Sequence, residues 1–340
     1  RCWRELGNAT ALFALSPGSG VAPALAQFDV AYEHWRGWRD WVLRYPGLVR
    51  RVIAWQPDLV YLRFTTCFPA LRKLLHHVPT VLEINTDDLT EYRLTMSRKA
   101  FAYHRLTRGK LLRRARGIVA VTHELGDRYH LWATPITVVS NGIRLDEMPL
   151  YPAPNNPQPR LLFLGQNRMP WHGVDQVSAL AQLCPQWQFE VVGDESFGVT
   201  SSPPNVRFHG FASAAEYQGL LAKADVALGT LALYRKSMSE SCALKVRDYL
   251  ACGVPTIMAG RDTDFQQEVP FVLQLPNTPD NVERSVDRIR QFVDDSLGSR
   301  VPREAIQHLD VKTKESQRLA FFASVLEQQK AADGGALLDS

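Results

Sequence analysis

Glu240 and Asp248 are the two acids whose type and spacing could do chemistry most directly. They lie eight residues apart in Glu240-Ser-Cys-Ala-Leu-Lys245-Val-Arg-Asp248-Tyr-Leu-Ala-Cys-Gly253-Val-Pro255. Eight residues are slightly over two helical turns, so both carboxylates can share one side of a helix. The other reading puts Glu240 in the loop before the helix and Asp248 one turn inside. A carboxylate suits vicinal sugar hydroxyls, because its two oxygens accept a pair of hydrogen bonds. Lys245 stands one turn ahead of Asp248, near the helix start. An ammonium and a helix N-terminus together favour a diphosphate there. Gly253-Val-Pro255 then ends the helix and opens a strand. The bland alternative is an amphipathic helix with two surface acids.

A second segment carries complementary chemistry: Leu161-Leu-Phe-Leu-Gly165-Gln-Asn-Arg168-Met-Pro-Trp171-His172-Gly173. A strand runs into a Gly turn and then a helix, which aims backbone N–H groups at an anion. Arg168 can grip a phosphate with two parallel bonds. His172 is either a pH-sensitive phosphate ligand or a ring packed beside Trp171. Val191-Val-Gly193-Asp194 reads as another strand end on the same side. Asn205-Val-Arg-Phe-His-Gly210-Phe211 reads as a strand exit.

Short apolar runs alternate with helical patterns along the whole chain, the pattern of βαβ units and parallel sheets. Strands are expected at Ala11–Leu15, Leu59–Arg63, Thr80–Ile84, Gly117–Thr122 and Ile136–Ser140, with helices over Trp35–Ala54 and Ser97–Ala115. The second half restarts with strands at Arg160–Leu164, Gln188–Val192, Val206–Phe208, Val226–Leu228 and Pro255–Met258. Helices are expected there over Val174–Leu183, Ala214–Ala222, Leu244–Ala251, Asn281–Asp294 and Lys314–Gln329. Tyr151-Pro-Ala-Pro-Asn-Asn-Pro-Gln-Pro159 holds four prolines in nine residues and reads as a semi-rigid linker. The expected organisation is an N-terminal Rossmann-like domain (1–150), the linker (151–159) and a second Rossmann-like domain (160–312). A C-terminal helix (313–330) would return toward the N-terminal domain, and 331–340 would be a flexible tail. The chain opens on what reads as the end of a helix, so the N-terminal domain is expected to lack its first strand and Gly-rich loop.

The Glu240–Pro255 segment resembles the E-x7-E region of retaining GT-B glycosyltransferases of family 4, followed by that family's Ala-Cys-Gly-x-Pro. Here the second acid is Asp248. The family places a Lys where His172 stands. Asn205–Phe211 resembles its Val-x-Phe-x-Gly loop, whose backbone meets the base. Ser140-Asn141-Gly142-Ile143-Arg144 resembles the motif closing its N-terminal domain. Pro79-Thr-Val-Leu-Glu83-Ile-Asn85-Thr-Asp87-Asp88 matches a bacterial subgroup, with Asn85 near a His that touches the transferred sugar in many members. The resemblance implies an α/β fold of two Rossmann-like domains facing across a cleft. It implies sugar transfer with retention from a nucleoside diphosphate sugar, UDP- or GDP-linked, to a carbohydrate or lipid-linked acceptor, in polysaccharide or glycolipid assembly. No metal or other cofactor is expected. Glu240 and Asn85 would serve the reaction. Gly165, Arg168, His172, Gly193, Phe211, Lys245 and Asp248 would hold the donor. A truncated or degenerate GT-B protein that binds a nucleotide or a partner without catalysis is the competing reading, and an epimerase is a third.

Composition fits a globular protein, with 45% apolar and 22% charged residues in 340. Five scattered cysteines without a CxxC point to reduced thiols and a cytoplasmic location. No apolar run reaches membrane-spanning length, and no signal peptide is visible at the start. Residues 1–150 carry a net +8 and residues 151–340 a net −4. Residues 98–116 hold eight Lys or Arg and no acid, interleaved with Phe101, Leu111 and Leu112. Such a helix could lie peripherally on an anionic bilayer, at the inner membrane face, or simply cover the sheet. Nothing marks a nucleic-acid partner.

Overall fold

The computed structural model describes residues 1–16, 30–34, 38–132, 134–166, 168–193 and 202–336. Two compact units emerge. The first takes in Arg1–Val121, Leu125–Val139 and Glu315–Ser340, the second Thr122–Glu124 and Ser140–Lys314.

The first unit opens with α1 (Cys2–Glu5) and a parallel strand pair, β1 (Leu12–Ser16) and β2 (Val30–His34). After α2 (Trp38–Ala54) come β3 (Val60–Arg63), α3 (Pro69–His77), β4 (Thr80–Ile84), α4 (Asp88–Thr95), α5 (Arg98–Thr107), α6 (Gly109–Leu112), β5 (Gly117–Ala120), α7 (His123–Tyr129, its first two residues belonging to the second unit) and β6 (Ile136–Val138). Strands β3 to β6 form a parallel sheet in sequential order. All four residues of β5 are buried, as suits a central parallel strand covered on both faces. The helix expected over Ser97–Ala115 breaks at Arg108 into α5 and α6. Leu111 and Leu112 are fully buried, so they belong to the core rather than to an outward apolar stripe.

The second unit runs through β7 (Arg160–Leu164), α8 (Val174–Leu183), β8 (Gln188–Val192), β9 (Val206–Phe208), α9 (Ala214–Lys223), β10 (Val226–Leu228), β11 (Glu240–Ser241), α10 (Leu244–Ala251), β12 (Thr256–Ala259), β13 (Arg261–Asp262), β14 (Val272–Leu275), α11 (Asn281–Arg284) and α12 (Val286–Ser296). Six parallel strands lie in the order β14-β12-β10-β7-β8-β9. Numbered within the unit, that is the 3-2-1-4-5-6 order of a doubly wound sheet. Its direction of winding reverses between β7 and β10, and in such sheets ligands bind outside the carboxyl ends of the strands at that point. Gly165 follows the end of β7 directly.

The last helix, α13 (Val311–Ala336), passes from the second unit into the first. Its Phe322 and Val325 join Val81, Val119 and Val139 in one core. Trp3 packs edge-on against Phe322, and its Nε1 donates to Glu315 at 2.6 Å. Residues 331–336 continue the helix instead of fraying, and 337–340 lie outside the described residues.

The units part between Val139 and Ser140, not at the Pro-rich stretch. That stretch is bound to the second unit by its side chains. The Tyr151 hydroxyl donates to Gln218 at 2.5 Å, and Asn156 donates to Lys223 O and Asp225. An extended segment without internal hydrogen bonds is anchored in this way even where its composition suggests a linker.

Candidate active site

Three of the expected donor residues meet at the end of β7. Gly165 is closely packed: a methyl group there would lie 2.4 Å from the Phe163 ring and 3.2 Å from His172 Nδ1. His172 sits on the short turn Pro170–His172. Its Nδ1 accepts a hydrogen bond from Gln166 N at 3.1 Å. That bond needs an unprotonated Nδ1, so the ring is neutral. Burial lowers its pKa to about 3, helped by the charges of Lys245 and Lys236. The ring's one proton is then on Nε2.

Lys245 enters from the first turn of α10. Its Nζ donates to Leu164 O at 2.8 Å and lies 4.6 Å from the centre of the Phe163 ring. Tyr249, one turn on, accepts from Leu164 N at 3.0 Å. Both polar groups of the last β7 peptide are therefore held by α10. Lys245 is buried, and no carboxylate among the described residues pairs with it. Burial lowers its pKa to about 7. The helix begins at Ala243 without a side-chain cap and with no acid in its first turn, leaving N–H groups open to an anion.

Gly193 follows β8 at φ +95°, where a side chain is strained; a methyl group would also lie 2.8 Å from Gly165 O. Its N–H donates to Gly210 O at 2.6 Å, tying the two strand exits together. Phe211 follows with 77% of its surface exposed. Asp194 lies outside the described residues. Arg168 is exposed and donates to the Gln166 side chain. Asp248 is half-buried with no hydrogen-bond partner among the described residues, and burial raises its pKa to about 6.

Glu240 is not at this cluster's contacts. It lies in β11 ahead of α10, as the loop reading of the Glu240–Asp248 pair expects, and it is buried. Within the second unit, its Oε1 accepts from His123 N at 3.3 Å and lies 3.0 Å from His123 Nδ1. Its Oε2 accepts from Glu124 N at 2.8 Å. Glu124 returns the arrangement, accepting from Ser239 N at 2.8 Å and Glu240 N at 2.9 Å. Burial alone would raise the Glu240 pKa, but these donors outweigh it and lower it. Asn85 follows β4 in the first unit and is half-buried.

Two networks were not foreseen. Arg247, fully buried on α10, forks onto both oxygens of Asp262 at 2.7 and 2.9 Å and reaches Asp264 at 2.6 Å. Lys314 and Ser140 complete Asp264 at 2.6 and 2.9 Å. In the first unit, buried Asp88 takes Arg108 at two 2.6 Å bonds, together with His104 and the Tyr129 hydroxyl. The one available signal was an Arg between Lys245 and Asp248 on a helix whose other positions are apolar. Among the described residues, no group of three or more His, Cys, Asp or Glu is placed to hold a metal ion.

Residues 1–147 match the family described as Glycosyltransferase Family 4. No curated protein matches the chain by sequence. Solved structures share its fold. Sucrose-phosphate synthase from Thermosynechococcus elongatus superposes with a TM-score of 0.61 at 13% identity, over 100% of this chain and 92% of that one. An alpha-glucosyltransferase in complex with UDP and DNA gives 0.65 at 12% identity, over 96% and 93%. The lipopolysaccharide outer core galactosyltransferase WaaB gives 0.57 at 13%, over 89% and 86%. The chain therefore has the GT-B fold, and its first 147 residues match Glycosyltransferase Family 4.

Proposed function

We propose that the chain transfers a sugar, with retention, from a nucleoside diphosphate sugar to an acceptor hydroxyl in polysaccharide or glycolipid assembly. The observation that carries this reading is Lys245: a buried amine paired with no carboxylate among the described residues, at the open start of α10, beside the β7 exit where doubly wound sheets bind ligands. The diphosphate would meet Lys245, the α10 N–H groups and Arg168. Asp248 would accept from the ribose hydroxyls, and Phe211 would flank the base. Glu240 would accept from sugar hydroxyls, and Asn85 would hydrogen-bond the sugar. The bond from the anomeric carbon to phosphate breaks, and a bond to the acceptor oxygen forms on the same face. The acceptor proton goes to the departing phosphate oxygen. Cationic side chains and the helix dipole would stabilise that leaving group without a metal.

Calorimetric titration with UDP and with GDP, without metal, tests the donor site. One of them is expected to bind in the micromolar range, and Arg168→Ala plus Lys245→Ala to weaken it by about a hundredfold, two charge-assisted bonds' worth. Failure of both nucleotides to bind would end this reading.

The competing reading, binding without catalysis, draws on Glu240. Its carboxylate is already occupied by His123 and Glu124. Nucleotide binding without turnover of any UDP- or GDP-sugar would favour it.

The basic stretch supports a peripheral membrane contact. Arg98, Lys99, Arg105, Lys110, Arg114 and Arg116 are exposed, and Leu106 among them is 81% exposed. Each such cation near an anionic surface contributes about 1 kcal/mol. The protein is expected to sediment with phosphatidylglycerol vesicles and not with phosphatidylcholine ones. Leu106→Asp with Arg105→Glu should reduce the bound fraction several-fold. Equal sedimentation with both lipids would remove the proposal. No helix among the described residues is long and apolar enough to cross a membrane.

A further inference from the structure

The donor-site reading leaves one question of chemistry: which cation neutralises the diphosphate, and in what state it waits. Arg168 is exposed and turned onto Gln166. His172 stands where the resembled family has a lysine, yet the Gln166 N–H occupies its Nδ1. Protonating that nitrogen would break a buried hydrogen bond and place a charge in a buried site beside the Lys245 amine. His172 is thus fixed as a neutral ring.

Lys245 is placed differently. An ammonium carries three donors, and among the described residues one acceptor, Leu164 O, is provided for them. The Phe163 ring covers another side of Nζ. Among the described residues, the titratable groups on the elements that meet here are His172 on the Pro170–His172 turn, Lys236 on the Leu233–Lys236 turn beside Trp171, and Arg247, Asp248 and Tyr249 along the same helix. Arg247 is committed to Asp262 and Asp264, and Tyr249 to Leu164 N. None of them is a carboxylate paired with Nζ. A buried amine with one neutral acceptor favours its uncharged form, and an arriving polyanion reverses that preference.

We propose that binding of a nucleoside diphosphate at this site is coupled to uptake of a proton by the Lys245 amine. The inference rests on the donor-site reading. The proton comes from the buffer acid, the lone pair of Nζ accepts it, and the ammonium then donates to phosphate oxygens while keeping Leu164 O. Burial sets the Lys245 pKa at about 7 in the empty site, so at pH 8 about nine-tenths of the amine is uncharged. The linkage has a definite sign. The protonated form binds, so affinity falls as pH rises above about 7, by about tenfold per pH unit.

The test is calorimetry of the full chain with UDP and with GDP at pH 8, in Tris and in HEPES, whose ionisation enthalpies differ. The apparent enthalpy should differ between buffers by the amount for about one proton taken up per nucleotide bound. In Lys245→Met, which keeps the length and loses the amine, the buffer dependence should vanish and affinity should fall at least about tenfold at pH 6.5. Binding with no proton uptake in the parent, or uptake that persists in Lys245→Met, overturns the proposal while leaving the donor site standing. Absence of binding by either nucleotide overturns the donor-site reading, and this inference with it.

Discussion

Exchange of Glu240 for glutamine is expected to cut sugar transfer by at least about a hundredfold, while nucleotide affinity stays within about threefold of the parent. The proposal places the Glu240 carboxylate at the sugar, not the nucleotide, so the loss should fall on kcat. The substitution also touches structure. Glu240 accepts from two backbone N–H groups, of His123 and Glu124. An amide can present only one accepting atom and must turn its NH2 toward one of these donors. That disturbance costs about 1.5–3 kcal/mol, the worth of a charge-assisted bond. A matched control comes from Glu124, which mirrors the arrangement by accepting from Ser239 N and Glu240 N. Glu124→Gln should lower the melting temperature by a similar amount and leave turnover within a few-fold. Transfer of labelled sugar, read beside thermal melting and nucleotide titration, separates the two effects. If Glu240→Gln and Glu124→Gln lose turnover equally, Glu240 acts by holding the start of α7 and not at the sugar.

The parts of the fold that could be read from sequence were those in which local pattern and tertiary role agree. β4, β7, β8 and α10 have the expected bounds, because a buried parallel strand is a short apolar run and α10 has a sharp Gly-x-Pro stop. The unit boundary was harder, since it depends on where the Pro-rich stretch docks. Tyr151 and Asn156 decide that through contacts with Gln218, Lys223 and Asp225, far away in sequence. The basic stretch shows the same limit. Its charges were visible, but Arg108 turns inward onto Asp88, while Leu111 and Leu112 face the core. At the site, residue types pointed to Lys245, His172 and Gly165, and these do come together. Sequence spacing could not show that a backbone N–H would hold His172 neutral, nor that Glu240 would find its donors at His123 and Glu124. Both follow from pairings more local or more distant than a motif records.

Arg247→Met is expected to destabilise the second unit by about 3–5 kcal/mol at pH 8, the cost of removing one member of a buried ion network. Arg247 is fully buried, and so is Asp262, which receives two of its bonds. Methionine fills much of the volume, so the loss reports charge and hydrogen bonding more than a cavity. It leaves Asp262 with a buried, uncompensated carboxylate. Asp264 keeps Lys314 and Ser140. The pH dependence carries the sign of the effect. Burial alone would raise the Asp264 pKa, but Arg247, then Lys314 and Ser140, outweigh it and lower it. In the parent, Asp264 therefore contributes stability at pH values above the ordinary carboxylate range, and this is lost as pH falls through its lowered value. Without the guanidinium that contribution shrinks, and a carboxylate left uncompensated can instead take up a proton in acid. The gap between parent and variant should accordingly narrow from pH 8 toward pH 5, as read by urea unfolding at both. Arg247→Met combined with Asp262→Asn should recover part of the loss, because the stranded charge is gone. A single-variant loss below about 1 kcal/mol, or a gap that widens in acid, would contradict this account of the network. Nucleotide binding should suffer as well, although Arg247 makes no donor contact in the proposal. Its fork onto Asp262 and its bond to Asn141 O fix the rotation of α10. That rotation points Lys245 at Leu164 and leaves Asp248 with no hydrogen-bond partner among the described residues.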